Sequence, residues 1–257
     1  MLNNKLNYRL RVIVIICIIA VLCSMSLLMQ SCSGSGDNSP AGIEQTVGDM
    51  TVKNEKVFGE KNNAYILATV NVPKGISFKG RISDIILSVD GAGGYSFACI
   101  GEDEATRTQT YIISITADPD VNLNKKNATL KFIGYNSTEG TMESLAKGEL
   151  EFSVKLDLDN NYIDVPMSDD SAIPAEYVRI YPGAVVIGTI TGTDVKTAFS
   201  DIKIINTDGD TVDLEINSRQ ATGNNMTEVF CLFDKKTDIS KISKITVGDV
   251  VLNTTDK

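Results

Sequence analysis

The sequence predicts an all-β protein made of antiparallel sheets, and three observations predict it. Short apolar runs, many of them alternating apolar and polar residues, follow one another along most of the chain. Turn formers such as Asp90-Gly91 and Asp208-Gly209 separate these runs. The order of runs and turns then recurs at an offset of about 118 residues. Short strands punctuated in this way are typical of an antiparallel sandwich or barrel.

The strands are predicted from β-rich runs, and no long helical period follows residue 32. The best helical candidate, Glu139–Lys147, is at most two turns long. The predicted strands cover residues 64–72, 82–89, 94–100, 110–116, 128–135, 149–158, 177–181, 184–191, 201–205, 211–217, 227–233 and 244–252.

The repeat is clearest in two pairs of runs. Ala64–Val70 matches Ala184–Ile190, and Tyr111–Ile115 matches Val229–Phe233. Further pairs follow in the same order with small insertions, which predicts two copies of one β-sandwich module. The alternative is that unrelated strands look alike because Val, Ile, Thr and Asp-Gly recur in every all-β protein.

Prolines and turn formers cluster at residues 164–174, which the sequence predicts to be a linker. The first β-sandwich domain would then cover residues 46–163 and the second residues 175–257. Such tandem antiparallel sandwiches resemble the immunoglobulin-like modules of exported bacterial lipoproteins. The resemblance is architectural, since the chain has no Trp and so no Cys-Trp-Cys core.

The N-terminus carries Lys5, Arg9 and Arg11, without an acidic residue, before the apolar run Val12–Leu22. A basic segment followed by an apolar one of this length is typical of a secretory signal. An uncleaved anchor is the alternative, since residues 12–29 are just long enough to span a bilayer. Both interpretations export the rest of the chain.

The apolar run ends at Ser31-Cys32 and changes abruptly to a Ser- and Gly-rich stretch. This resembles a bacterial lipoprotein signal, of the kind found in Bacteroidetes-type exported lipoproteins. The resemblance implies a signal peptide at residues 1–31, lipidation of Cys32 with palmitate-like acyl chains and a flexible tether at residues 32–45. The chain departs from the pattern at Met29, where the family usually has Leu.

The composition and charge of the chain exclude several classes of function. The chain of 257 residues has no His, which excludes Ser-His-Asp and Cys-His triads and imidazole metal ligands. Its net charge is −9, and the exported part would carry 21 basic and 33 acidic residues. Nucleic acid and anionic lipid headgroups repel such a surface, so attachment to a membrane would require acyl chains. We therefore expect no enzyme, no cofactor and no nucleic-acid partner.

Two acidic segments are candidate sites. Residues 157–161 (DLDNN) have the alternating oxygen ligands that open a calcium loop, but the glycine is missing and Ser168 stands where a bidentate Glu is needed. The sequence therefore predicts no metal site, although a looser calcium site with Asp164, Asp169 or Asp170 stays open. Residues 102–104 (EDE) are predicted to be a solvated hairpin tip rather than glycosidase carboxylates.

Two cysteines and two hydroxyl groups complete the candidate residues. Cys99 and Cys231 lie in apolar runs and are predicted to be small buried hydrophobic residues. The resemblance to Bacteroidetes-type lipoproteins implies O-glycosylation within a three-residue pattern. The pattern is Asp, then Ser or Thr, then a small or aliphatic residue, and the sugar is attached to the hydroxyl group of the second residue. Ser171 in Asp-Ser-Ala and Thr211 in Asp-Thr-Val match this pattern.

These observations lead us to expect a lipid-anchored cell-envelope protein that binds or scaffolds other proteins. It would be an outer membrane lipoprotein facing the periplasm or the cell surface, and its partner would be another envelope protein. The first alternative is a fimbrillin-like fibre subunit or accessory, a resemblance weakened by the lack of Arg between Arg11 and Arg81. A carbohydrate-binding lipoprotein is a weaker alternative, because no Trp is present to stack on a sugar.

Overall fold

A computed structural model describes residues 44–47, 50–136, 142–143, 150–158, 161–167, 173–190, 192–199, 201–221 and 226–254. We call the described residues up to 158 the first half and those from 161 onward the second half. The elements of the first half are β1 (Glu44–Val47), β2 (Met50–Gly59), β3 (Asn63–Asn71), β4 (Arg81–Ser88), β5 (Ala92–Asp103), β6 (Thr108–Ala117), β7 (Asn127–Asn136), β8 (Met142–Glu143) and β9 (Leu150–Lys155).

The described second half has the same succession of strands without a counterpart of β8, and it adds a short helix and a 3-10 turn. Asp194 caps the helix by accepting a hydrogen bond from the Thr197 amide. The elements are β10 (Ile163–Asp164), β11 (Tyr177–Tyr181), β12 (Ala184–Ile190), α1 (Val195–Ala198), β13 (Ile202–Asn206), β14 (Leu214–Ala221), β15 (Met226–Phe233), the 3-10 turn Ile239–Lys241, β16 (Ile242–Val247) and β17 (Val250–Asn253).

Each half has one large and one small antiparallel sheet. The large sheet of the first half has the strand order β1-β2-β3-β6-β5, and that of the second half has β10-β11-β12-β15-β14. The small sheets are β4-β7, with β8 and β9 also paired to β7, and β13-β16-β17. Apart from β8, which has no described counterpart, the second half therefore repeats the strand order of the first.

An apolar core lies between the two sheets of each half. In the first core, Ile66 and Ile113 from the large sheet pack with Leu130 and Phe152 from the small one. The rings of Phe132 and Phe152 stack with centroids 5.7 Å apart. The second core is built in the same way; its members include Val185, Ile187, Cys231, Ile204, Ile245 and Leu252.

The all-β, antiparallel prediction is confirmed, with differences at particular elements. β1 and β2 were not predicted, and the run 244–252 is two strands that turn at Gly248, where φ is +56°. Of the helical candidate Glu139–Lys147, the structure describes only Met142–Glu143, and these two residues form β8. Both residues pair with β7.

Part of the predicted linker 164–174 belongs to the second half. Asp164 pairs with Arg179 across β10 and β11, and the Val165 amide donates to the Val178 carbonyl at 2.9 Å. Val165 and Ile173 are buried in the second core. The turn formers that suggested a linker are thus flanked by apolar side chains that reach the core. Residues 168–172 lie outside the described residues.

Candidate functional site between the two halves

The central strands of the two large sheets are buried on both faces. In β3, Ile66 faces the first core, while Tyr65 and Leu67 face the second half. In the second half, Val186 of β12 and Phe230 of β15 face back toward the first. Burial on both faces explains why these strands are nearly continuous apolar runs instead of alternating ones.

The residues that meet here form a third apolar cluster, which we call the interface cluster. The ring of Tyr65 meets that of Phe230 edge-on, with their centroids 5.4 Å apart. The ring centroids of Phe58 and Tyr181 are 5.6 Å apart. Aromatic pairs at these distances add to the free energy gained by burying their area. The buried members are Phe58, Tyr65, Leu67, Ile100, Ile112, Tyr181, Ala184, Val186, Phe230 and Leu232.

A buried carboxylate, Glu228, lies at one end of this cluster with 5% of its surface exposed. Tyr65 from the first half and Tyr177 from the second each donate a hydroxyl hydrogen bond to its Oε1 at 2.6 Å. Ser114 from the first half donates to Oε2 at 3.5 Å. Glu228 therefore ties strands of both halves together, and these bonds offset part of the cost of burying it.

Burial raises the pKa of Glu228 above its ordinary value, although the hydrogen bonds from Tyr177, Tyr65 and Ser114 oppose the shift. The pKa of Tyr65 is raised as well, chiefly by burial and then by the charge of Glu228. Since Glu228 is covered by both halves, the cluster can hold a proton but offers no open face to a substrate. Its chemistry is that of a hydrogen-bonded structural contact.

Replacing Glu228 with Gln is expected to stabilise the protein increasingly as pH rises. A glutamate whose pKa is raised on folding binds its proton more tightly in the folded state, so wild-type stability falls between the ordinary and the raised pKa. Gln keeps an acceptor for both tyrosines and never ionises. Denaturant unfolding of Glu228→Gln from pH 4 to pH 8, beside the exposed control Glu151→Gln, measures this; a constant difference at every pH would contradict it.

A second polar contact between the halves centres on Arg179 of β11. Its guanidinium donates to Glu60, at the end of β2 in the first half, and to Asp164 Oδ1 at 2.7 Å. It also lies over the rings of Tyr177 and Tyr162, 5.0 and 5.8 Å from their centroids. Burial alone would lower the pKa of Arg179, but the bond to Asp164 and the charge of Glu60 outweigh it and raise that pKa.

A glycine makes room for the tyrosine that reaches Glu228. Tyr177 and Gly188 are direct partners across β11 and β12, and a Cβ on Gly188 would lie 2.2 Å from Cε1 of that tyrosine. No real side chain tolerates this approach, so only glycine lets the ring lie flat against β12. The position of Gly188 thereby fixes the hydroxyl that binds Glu228.

A further buried network orders the connection between β3 and β4 in the first half. Gln109 donates to the carbonyls of Phe78 and Gly80 at 2.9 and 2.8 Å and accepts from Tyr111 at 2.8 Å. Arg107, which has φ +56°, donates to three carbonyls of the same connection. Such satisfied networks specify one conformation of a loop.

The structure places few of the residues predicted as modification sites. Cys32 and Ser171 lie outside the described residues. Thr211 is an exposed residue between β13 and β14, and its backbone forms an isolated bridge with Ile205. Of the two cysteines, Cys231 is buried in the second core, where burial raises its pKa to about 12, and Cys99 is half-buried against the first core.

The described acidic candidates are engaged by neighbours. Asp157 forms an ion pair with Lys125, and Asp164 is held by Arg179. Glu102 pairs with Arg81 at 2.7 Å, and Asp103 accepts from residues of its own turn. Within the described ranges, no three Asp, Glu, Cys or His side chains gather closely enough to hold a metal ion.

The sequence contained weak signals of the site between the halves. Glu228 stands inside the apolar run that became β15, and a charged residue in such a run indicates a buried or paired carboxylate. Its partners Tyr65 and Tyr177 are 163 and 51 residues away in the chain. No spacing rule connects them, because the contact depends on how two sheets pack.

Comparison with known proteins adds little. No protein-family model matches the chain, and no curated protein matches it. Among solved structures, a conserved domain protein from Bacillus anthracis is 11% identical, with a TM-score of 0.38, and the match covers 81% of this chain and 76% of that one. A likeness at this level carries no argument about fold or function. In the part of the chain that the structure describes, no helix has the length and apolar character needed to span a bilayer.

Proposed function

We propose that the protein is a lipid-anchored component of a bacterial cell envelope that binds or scaffolds other proteins through its surfaces. In this proposal, Cys32 carries the acyl chains, and the two halves are tandem immunoglobulin-like β-sandwich modules. The outer membrane is the proposed location, with the modules facing the periplasm or the cell surface. The Ser- and Gly-rich residues after Cys32 would keep the modules clear of the lipid.

The modular part of the proposal is supported by the repeated topology. Both large sheets run in the same strand order, and both small sheets cover the corresponding face. Each half has its own apolar core, as expected of a module. The second half is the smaller one, with β11, β12 and β16 each shorter than their counterparts β2, β3 and β7.

One observation carries the proposed binding role: the two large sheets pack on each other through the interface cluster and the contacts of Glu228 and Arg179. The described residues accordingly group into one compact unit. The small sheets then face outward on opposite sides, with exposed residues such as Glu151 and Lys155 on one and Val251 on the other. A rigid body loses little entropy when it binds a partner, which suits a scaffold.

The lipid anchor is tested by replacing Cys32. In a Gram-negative host that expresses the full chain, Cys32→Ala is expected to lose incorporation of a labelled fatty acid, because the thiol is the proposed acylation site. The variant should also run as a longer species than wild type, because the apolar residues 12–29 would stay attached and hold it in the membrane. Cys23→Ala is the matched control and should behave as wild type. If wild type incorporates no label and has the same length as Cys32→Ala, the uncleaved anchor is correct instead.

The binding role is tested by photo-crosslinking in cells that produce the native protein. A photoreactive residue at Ile86 or Val251, which are 44% and 50% exposed on the outer sheets, should give a discrete adduct with another envelope protein. The same residue at buried Leu232 should give none. A ladder of adducts between copies of the chain would instead support the fibre alternative. A lack of adducts at every exposed position would contradict the proposal.

A further inference from the structure

We infer that the two halves meet through a pseudo-two-fold, self-complementary interface, so that the partner this sheet face fits is a second copy of the same module. The chain is then a covalently linked counterpart of a homodimer. This inference goes beyond the proposed function and does not depend on the lipid anchor. It rests on which residues are equivalent in the two halves and on what those residues touch.

The matched runs of β6 and β15, together with the pairing registers, define the equivalent residues. Ile113 and Cys231 stand at the same place in the matched runs Tyr111–Ile115 and Val229–Phe233, and both face inward. Ile113 pairs with Ile66, and Cys231 pairs with Val185. Ile66 and Val185 are therefore equivalent. The sequence match of Ala64–Val70 with Ala184–Ile190 sets Ile66 against Val186 instead, so the two alignments of β3 with β12 differ by one residue. A shift of one residue exchanges the two faces of a strand, so this correction decides which side chains meet.

The corrected register makes Phe58 equivalent to Tyr181. Phe58 pairs with Tyr65, the residue before Ile66, and Tyr181 pairs with Ala184, the residue before Val185. In an isologous interface, residues on the symmetry axis contact their own equivalents. Phe58 and Tyr181 do so, with ring centroids 5.6 Å apart. The equivalent edge strands β5 and β14 also lie in contact with each other.

A basic residue stands two positions before Phe58 in β2, and another stands two positions before Tyr181 in β11. Lys56 pairs with Leu67, and Arg179 pairs with Val186, the equivalent of Leu67. Each cation crosses to the opposite half. Lys56 donates to the Phe233 carbonyl at 2.8 Å, and Arg179 donates to Glu60.

These two contacts are reciprocal in their place in the fold. Glu60 follows β2 directly, at the turn into β3, and Phe233 ends β15, where its amide donates to the Gly183 carbonyl in the turn from β11 into β12. Each cation therefore reaches the end of the opposite large sheet that carries a hairpin turn. For Arg179 this is the turn from β2 into β3, and for Lys56 it is the equivalent turn from β11 into β12. The two cations are equivalent residues, whereas their acceptors are not: Glu60 is the equivalent of Gly183, and Phe233 that of Ile115. An isologous interface places equivalent residues against equivalent parts of the opposite half.

The symmetry is broken at the buried carboxylate. The buried carboxylate Glu228 occurs in the second half only; its equivalent in β6, counted from Ile113 and Cys231, is Thr110. The tyrosine that binds it from the first half, Tyr65, is equivalent to Ala184. A true homodimer would bury this charge twice, whereas the fused pair buries it once and surrounds it with donors.

The inference predicts that the halves stay together after the chain between them is cut. A site for a specific protease, inserted between Asp159 and Asn160 of the full-length protein in detergent, allows this cut. After complete cleavage, the two fragments are expected to elute as one 1:1 particle at micromolar concentration. Phe58→Lys and Tyr181→Lys should each weaken this association by about 30-fold or more, the effect of losing a central interface side chain.

Two further variants make the test specific for contact between equivalent residues. The pair Phe58→Lys with Tyr181→Glu should recover association, because the two new charges would meet. Ile86→Lys, on an outer sheet, should leave association unchanged. The circular dichroism spectrum of each uncleaved variant checks that its sheets still form. Separation of the wild-type fragments, or a double variant no better than the single ones, would overturn the inference.

Discussion

Replacing Phe230 with alanine is expected to lower the free energy of unfolding by about 3–5 kcal/mol, the usual cost of removing a buried aromatic side chain. Phe230 is fully buried in the interface cluster and meets the ring of Tyr65 from the other half. Its removal leaves a cavity between two sheets whose backbones cannot close together, since each also carries its own core. Urea unfolding followed by circular dichroism measures the change.

The exposed aromatic Tyr95 provides the matched control. It lies on the edge strand β5 with 40% of its surface exposed, so Tyr95→Ala should change stability by less than about 1 kcal/mol. The shape of the unfolding curve is informative too. The wild type should unfold in one transition, whereas Phe230→Ala should separate the unfolding of the halves. A Phe230→Ala protein as stable as the Tyr95→Ala control would show that the cluster contributes little.

Replacing Gly188 with alanine is expected to destabilise the protein by about 3 kcal/mol or more. The new methyl group would overlap the ring of Tyr177, and overpacking of this kind costs about 1–3 kcal/mol. Tyr177 would have to swing away from Glu228, and losing a hydrogen bond to a charged group costs about 1.5–3 kcal/mol more. The ring would also leave the guanidinium of Arg179.

Two controls separate this mechanism from a general cost of replacing glycine. Gly75→Ala should be nearly neutral, because a Cβ there would meet no atom within 4 Å. In a Tyr177→Ala background, the penalty of Gly188→Ala should largely vanish, since the ring that causes the collision is gone. If the penalty of Gly188→Ala were the same in both backgrounds, the steric explanation would be wrong.

Local patterns predicted the strands well because strands depend on nearby residues. The runs at 177–181 and 227–233 lie within a residue of β11 and β15. The two large sheets share one strand order, whereas the division into two copies of one sandwich module stays a prediction. The residue-by-residue match of β3 with β12 was one position off, because two apolar runs without alternation give no indication of which face is which.

The contact between the halves could not be predicted from the same patterns. Continuous runs such as Ala64–Val70 indicate burial on both faces, but they do not say which surface covers the second face. The partners of Glu228 and Arg179 come from strands far apart in the chain. Val165 and Ile173 anchor the segment predicted as a linker, and single apolar residues among turn formers are too weak a signal to be recognised.

Burial of β3 and β6 on both faces has a consequence for biosynthesis. The first half emerges, from the ribosome or in the proposed export across the membrane, before the strands that will cover Tyr65, Leu67 and Ile112. Until the second half folds, this sheet presents a broad apolar surface to water, which is a hazard for association with other unfolded chains. The chain therefore passes through a period in which a holding chaperone would protect it, and that period ends when Phe230 and Leu232 close over the sheet.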